Sequence, residues 1–175
     1  RNQDESGSVA AITSILSQVH INVANMSVNR HRRGGDALMV IETDQHIKPR
    51  QVEFLSELPG ILSVTYYDDY DWLAANDPHA FSEADALGQV RVAAAQGLAT
   101  GSRVKVLGSG TDQWLTTATY YDRDYRTIQS VSDLYPSGVE ITSNVYSFTG
   151  AVTQAKVKQR VGETEYEYNK WFAYD

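Results

Sequence analysis

Hydrophobic positions along residues 7–67 change period twice, and the changes mark out elements. Val9, Ile12, Ile15, Leu16 and Val19 recur at intervals of three and four, which places them on one stripe of a helix. Ser8 is expected to cap that helix, because its hydroxyl can accept a bond from a first-turn amide. The period then becomes two. Ile21, Val23, Asn25 and Ser27 alternate with Asn22, Ala24, Met26 and Val28, which predicts a strand. Arg30 to Gly35 reads as a polar turn closed by two glycines, and Ala37 to Ile41 as the returning strand. Lys48-Pro49 opens a second helix, since proline suits the first helical position. Val52, Leu55 and Leu58 form its stripe, and Pro59-Gly60 ends it. Ile61, Leu62, Val64 and Tyr66 make a last short strand.

The order α-β-β-α-β is that of a ferredoxin-like α+β module lacking its first strand. That strand would precede Arg1, and its loss would expose a sheet edge. Beyond Tyr66 the pattern is different. Residues 66–85 are acidic, aromatic and irregular, with a turn signal at Asn76-Asp77-Pro78. The alanine-rich stretch from Ala80 to Thr100 suggests a linker or a short helix, weakened by Gly88 and Gly97. Strands follow: Val104–Leu107, a turn at Gly108-Ser109-Gly110, Trp114–Tyr121, Arg126–Ser132, Val139–Phe148, Ala151–Arg160 and Thr164–Trp171. Threonine, valine and tyrosine at this density suit a pleated sheet with one solvated face. The expected domains are 1–67, a linker over 68–103, and a β array over 104–175.

Composition supports two parts. All eleven tyrosines fall at or after Tyr66. Residues 1–67 carry six basic and seven acidic side chains, against nine and fifteen in 68–175. The net charge of −7 argues against nucleic acid or an anionic membrane as the main partner. No run of 18 apolar residues exists, so no membrane span is expected. The absence of cysteine removes disulfides, thiolate zinc sites and iron–sulfur ligation within these residues. The sequence opens at Arg1 without a methionine and ends at Tyr174-Asp175 within a patterned stretch, so both ends read as cuts.

Three blocks in the first part carry a resemblance: Gly7-Ser-Val-Ala10, His20-Ile-Asn-Val-Ala-Asn-Met-Ser27 and Gly34-Gly-Asp-Ala-Leu-Met-Val-Ile-Glu-Thr-Asp44. Together they resemble the ACT domain family, most closely the type that ends bacterial iron–sulfur L-serine dehydratases, over residues 2–67. The resemblance implies an amino-acid effector, L-serine first, bound between the loop that opens the first helix and strands of a neighbouring copy, usually in a homodimer. Carried onto this sequence, that loop is Asp4 to Ser8, including Ser6 and Gly7, and Asn22 on the next strand faces the same ligand. A helix N-terminus favours a carboxylate, and an Asn amide can bond both ends of an amino acid. Ser6 replaces the usual Pro, and Asn2-Gln3-Asp4 replaces the usual upstream His or Asn. The bland alternative gives Gly7 and Asn22 roles in turn and sheet geometry only.

The second part repeats itself. Tyr121-Asp122, Tyr146-Ser147 and Tyr168-Asn169 head successive units 25 and then 22 residues apart, a period that indicates stacked hairpins. The tetrad Thr65-Tyr66-Tyr67-Asp68 recurs as Thr119-Tyr120-Tyr121-Asp122. With Val104-Lys-Val-Leu-Gly108 and Asn144-Val-Tyr146, these blocks resemble the RHS (YD-repeat) proteins of Bacteroidetes type. That resemblance implies an all-β array of YD-repeat hairpins from a shell that encloses an effector. One departure is that the Gly-Arg expected after Tyr-Asp is Tyr125-Arg126, then Gly150-Ala151. The ACT-like half implies a cytoplasmic setting and the RHS-like half an exported one, which makes a chimera joined at Val64–Asp68 a candidate origin.

Other chemistry finds little support. Asp68, Asp69, Asp71 and Asp77 could meet a hard cation. Glu163, Glu165 and Glu167 share one strand face, the usual mark of a solvated side. His20, His31, His46 and His79 lack metal spacing, no serine sits in a nucleophile motif, and no cofactor signature occurs. Arg30-His31-Arg32-Arg33 reads as a solvated hairpin tip. The sequence therefore predicts a non-catalytic, amino-acid-binding regulatory module joined to a structural β array. The alternative is a purely structural shell fragment.

Overall fold

The first helix begins one residue earlier than a capping role for Ser8 requires. In the computed structural model, which describes residues 1–30, 32–44, 47–48, 51, 54–55, 58, 60–74, 76–107 and 113–174, α1 spans Ser8–Gln18 and Gly7 is its N-cap. Gly7 has φ +94°, a left-handed conformation that costs a residue with a Cβ about 1–2 kcal/mol. Ser8 Oγ donates back to the Glu5 carbonyl at 3.1 Å instead of accepting an amide. Glycine thus sets the start of α1 where the hydroxyl was expected to.

The buried stripe of α1, Ile12 and Leu16, joins Ile21 to form the core of the first unit, Arg1–Val64. Two hairpin strands, β2 (Val23–Arg30) and β3 (Asp36–Thr43), pair antiparallel beneath it. A bulge between Val23 and Asn25 shifts the alternation. Beyond it Met26 lies opposite Ile41 and Val28 opposite Met39, on the helix side, while Ser27 and Val40 share the other face. Leu55 and Leu58 also pack on this core. In the region of the expected second helix the Lys48 amide donates to Gln51 Oε1 at 2.7 Å, half of a capping box, and Gln51, Phe54 and Leu55 are helical. Pro49, Val52 and Pro59 lie outside the described residues.

Two expectations about this sheet need correction. Its first strand is not wholly missing: β1 (Asn2–Gln3) pairs with β3 through Asn2–Ala37 and Gln3–Asp36, giving the order β1-β3-β2. Nor does the last short strand belong simply to the module. The Leu62 and Ser63 amides reach the Arg1 carbonyl at 2.8 and 3.3 Å, yet Ser63–Asp68 forms β4 of a second, larger sheet.

The second unit takes in Thr65–Val106 and Gln113–Asp175. Its sheet has seven strands in the order β10-β9-β8-β7-β6-β5-β4, so neighbours in sequence are neighbours in space. After β4 come β5 (Ala95–Lys105), β6 (Trp114–Tyr121), β7 (Thr127–Asp133), β8 (Val139–Tyr146), β9 (Val152–Val161) and β10 (Thr164–Trp171). Residues 68–103, expected as a linker or short helix, contain a 3-10 turn at Glu83–Asp85 and most of β5. Alanine composition suggested helix there, but Ala95 and Thr100 are fully buried and sheet pairing wins. The Gly108–Gly110 turn lies outside the described residues.

Residues 70–92 lie across one face of this sheet and supply its core. Tyr70 stacks on Tyr120 with ring centres 4.7 Å apart, Phe81 meets the same ring edge-on, and the Arg91 guanidinium sits 5.0 Å from the Tyr70 ring. Trp72 stacks on Tyr66 at 4.3 Å and donates its indole N–H to Thr100 Oγ1 at 3.2 Å. Gln129, fully buried, replaces a strand neighbour: its amide accepts from Ser82 N at 2.8 Å and donates to Ser82 O and Ser143 Oγ, both at 3.1 Å. The opposite face is polar, with Thr117 paired to Ser132, and Thr119 to Ser130 and on to Thr142.

Two of the turns read as repeat heads share a backbone pattern. In the β6–β7 hairpin Asp122 N donates to Arg126 O at 3.0 Å and Tyr125 N to Asp122 O at 3.0 Å. In the β8–β9 hairpin Ser147 N donates to Ala151 O at 2.7 Å and Gly150 N to Ser147 O at 3.0 Å. Both have a bulge just before the turn, at Tyr120/Tyr121 and at Val145/Tyr146. Tyr125 (φ +59°) stands where Gly150 (φ +86°) does. The third expected head, Tyr168, lies inside β10 rather than at a turn.

Candidate functional site

The residues predicted to hold an effector fall at two ends of the first unit. Asp4, Ser6, Gly7 and Ser8 lie on the loop into α1, beside the tip of the β2–β3 hairpin. Asp4 Oδ2 accepts Arg30 Nη1 at 2.8 Å and the Gly34 amide at 3.0 Å, while Asp4 N donates to the Gly35 carbonyl at 2.8 Å. The Gly34 amide and Arg30 guanidinium hold the Asp4 carboxyl below its ordinary pKa. Asp4 therefore fixes the loop, with its carboxylate already engaged. This corrects the view of Arg30 as part of a merely solvated tip; His31 lies outside the described residues.

Asn22 sits at the other end of β2. Its Nδ2 donates to Asp44 Oδ2, and the Asp44 amide returns a bond to the Asn22 carbonyl at 3.1 Å. β2 has eight residues, so Asn22 and Arg30 are separated by roughly 25 Å of extended chain. Within one copy the structure brings Asp4, Ser6, Gly7 and Ser8 together and leaves Asn22 away from them.

What remains at the loop is an open helix N-terminus. Ala11 N donates to Gly7 O at 2.8 Å, which closes the first turn of α1. A Cβ built on Gly7 would meet no atom within 4 Å. Helix N-termini present amides and the positive end of the macrodipole, a setting that favours a carboxylate. Sequence reasoning found this loop but missed the Asp4–Arg30–Gly34 clamp, since no periodicity marks an ion pair across 26 positions.

The second unit holds its polar groups in closed networks. Asp122 Oδ1 accepts the Asp124 and Arg126 amides, each at 2.9 Å, and Oδ2 accepts Arg126 Nε at 2.7 Å. His79 lies buried with Nδ1 2.8 Å from Asp77 Oδ1 and Nε2 2.9 Å from Asp133 Oδ1. Glu165 and Glu167 lie on an exposed strand, as expected, and are also ion-paired: Lys156 lies 3.0 Å from Asp85 and Glu167, and Lys158 lies 3.1 Å from Glu165. Among the described residues, no group of three or more His, Cys, Asp or Glu could hold a metal ion. No helix among them is long and apolar enough to cross a membrane.

Comparison with known proteins supports the first unit. Residues 1–52 match the ACT domain family. The D-3-phosphoglycerate dehydrogenase of Bacillus subtilis (strain 168) is 35% identical over 68 residues, which is 39% of this chain and 13% of that protein. The probable L-serine dehydratase, beta chain, of the same organism is 40% identical over 68 residues, 39% of this chain and 31% of that protein. The chain thus spans less than a third of the length of either relative. No solved structure matches.

Proposed function

We propose that the first unit is a non-catalytic amino-acid sensor that binds L-serine or a close relative as a homodimer. The observation that carries this is the open, glycine-capped start of α1 within a stretch that matches the ACT domain. ACT domains bind amino-acid effectors and often dimerise. One relative bears L-serine in its name, and that supports the choice of effector.

The strand order β1-β3-β2 leaves β2 at the edge of its sheet. If two copies pair antiparallel through β2, Asn22 of one copy comes to the Asp4–Ser8 loop of the other, because they occupy opposite ends of that strand. The effector carboxylate then meets the amide end of α1 at Gly7, and the Asn22 amide bonds its polar groups from across the interface. Asp4 keeps the loop in place. Ligand and dimer are thereby coupled, since half of the site comes from each copy. Isothermal titration with L-serine tests this: saturable heat in the parent chain and none in Asn22→Ala supports it. No heat in either removes it.

We further propose that the second unit is a structural β array of the YD-repeat (RHS) type. Support comes from the two hairpins with the same bulge, the same backbone bonds and the same left-handed position. These same observations favour the alternative of a purely structural fragment without a ligand, should the titration be flat.

A further inference from the structure

The turn at Asn76-Asp77-Pro78 gathers a carboxylate, an imidazole and a tertiary amide into one network. Asp77 Oδ1 accepts the His79 main-chain amide at 2.9 Å, and the ring closed by that bond contains the Asp77–Pro78 peptide bond. The same oxygen lies 2.8 Å from His79 Nδ1. A proton therefore sits between carboxylate and imidazole, whichever atom carries it. His79 Nε2 is 2.9 Å from Asp133 Oδ1, and Asp133 Oδ2 accepts the Thr116 amide of β6 at 2.7 Å, so the sheet fixes the imidazole. His79 is buried, while the Asp77 side chain keeps 14% of its surface open to solvent. The Asp77 carbonyl, half of the same peptide bond, accepts the Ala80 amide at 3.0 Å.

These are the parts of an acyl transfer: a nucleophile, a proton donor, a polarised carbonyl and a leaving group. The proline nitrogen has no N–H and departs as a secondary amine. We propose that the chain cuts itself at the Asp77–Pro78 bond. Asp77 Oδ2 attacks the Asp77 main-chain carbonyl carbon and closes a cyclic anhydride. The negative charge that builds on the carbonyl oxygen meets the Ala80 amide. The shared proton passes from His79 Nδ1 to Pro78 N, the C–N bond breaks, and its electron pair stays on nitrogen. Water reaching the open side of Asp77 then splits the anhydride. Asp77 is left with two carboxyl groups and Pro78 with a free amine. One C–N bond is exchanged for one C–O bond, and one water is consumed. Asp77 and His79 are the catalytic residues, and Asp133 positions His79. Tyr70 and Trp72 precede the cut, and their contacts with Tyr120 and Thr100 span it, so the two pieces stay together until denatured.

The purified full chain, incubated under native conditions and read by denaturing gel and intact mass, should yield residues 1–77 and 78–175 with the gain of one water. In heavy-oxygen water the label should divide between the main-chain and side-chain carboxyls of Asp77, because water opens either side of an anhydride. Asp77→Ala should stay whole, as should Pro78→Ala, which keeps Asp77, His79 and Asp133 in place. His79→Gln should slow the cut on the order of a hundredfold, the effect of losing a general acid. Asp133→Asn should slow it less, and Asp133→Glu should recover part of that loss with circular dichroism unchanged in both. The same chain unfolded in guanidinium chloride reports the intrinsic lability of an Asp-Pro bond, and the folded chain should cut at least about tenfold faster. A folded chain that stays whole overturns the proposal, as do equal rates in the folded and unfolded chain. Label confined to the main-chain carboxyl overturns attack by Asp77.

Discussion

Asp122 and Ser147 stand 25 residues apart and close the same turn with different side chains. Asp122 Oδ1 accepts the Arg126 amide at 2.9 Å, and Ser147 Oγ accepts the Ala151 amide at 3.1 Å. The carboxylate does more, because it also takes the Asp124 amide and the Arg126 guanidinium. Asp122→Ala should destabilise the second unit by about 2 kcal/mol, the scale of partly buried donors left without an acceptor. Asp122→Ser, which copies the later repeat, should recover part of that loss. Urea unfolding followed by circular dichroism measures both. Serine performing no better than alanine would contradict the equivalence of the turns.

Acid should weaken the second unit through Asp122 and Asp85. Burial pushes both carboxyls up. Bonds from Arg126 and two amides to Asp122, and from Ser82 and Lys156 to Asp85, outweigh it and hold both below the ordinary value of 3.8. A depressed folded pKa gives stability that is present above the unfolded pKa and lost as pH falls through the folded one. Stability should therefore decline below about pH 4, and Asp85→Asn should flatten that decline while lowering stability at neutral pH. An unchanged acid limb in the variant would count against this.

The alkaline limb belongs to tyrosines. Burial raises the Tyr70 hydroxyl from 10.0 to about 12 and raises Tyr120 further. Here the folded state holds its protons longer, so the contribution is full below pH 10 and lost as pH rises through the folded value. Spectrophotometric titration should show tyrosines ionising well above the ordinary range, coupled to unfolding. Tyr120→Phe should remove part of the steep phase; if all tyrosines titrate near 10 in the folded chain, this packing is wrong.

Gly101 leaves room for an aromatic ring. A Cβ at this position would lie 2.0 Å from Trp72 Cζ2. Gly101→Ala should displace the Trp72 indole and cost about 1–3 kcal/mol, the usual penalty of overpacking. Unfolding midpoints and the near-ultraviolet tryptophan signal report it. A neutral substitution with an unchanged spectrum would show that the indole does not rest on Gly101.

The sequence was most legible where one local rule acts alone. Period-two stretches located β6 and β10 at the observed residues, Trp114–Tyr121 and Thr164–Trp171. The stripe of α1 was visible because Ile12 and Leu16 both face one core. Failures occurred where distant residues decide. Ala95 and Thr100 are in a strand because β6 and the overlying segment bury them, which composition cannot signal. Gln129 holds Ser82 across 47 positions, so residues 68–103 looked like linker. At the candidate site, the helix-opening loop was readable from Gly7, whereas the Asp4 clamp and the separation of Asn22 depend on how the hairpin folds back. The sequence spacing puts a turn at Tyr168, but that residue lies inside β10, where its pairing with β9 decides.

Thermal unfolding of the purified chain against a panel of amino acids, L-serine first, tests the central claim most directly. A ligand at about a hundred times its dissociation constant adds roughly 2.7 kcal/mol to the native state, enough to raise the midpoint by several degrees. The account predicts a rise confined to L-serine or a close relative, absent in Asn22→Ala. A flat panel from a chain that melts cooperatively would contradict the sensor and leave a structural protein.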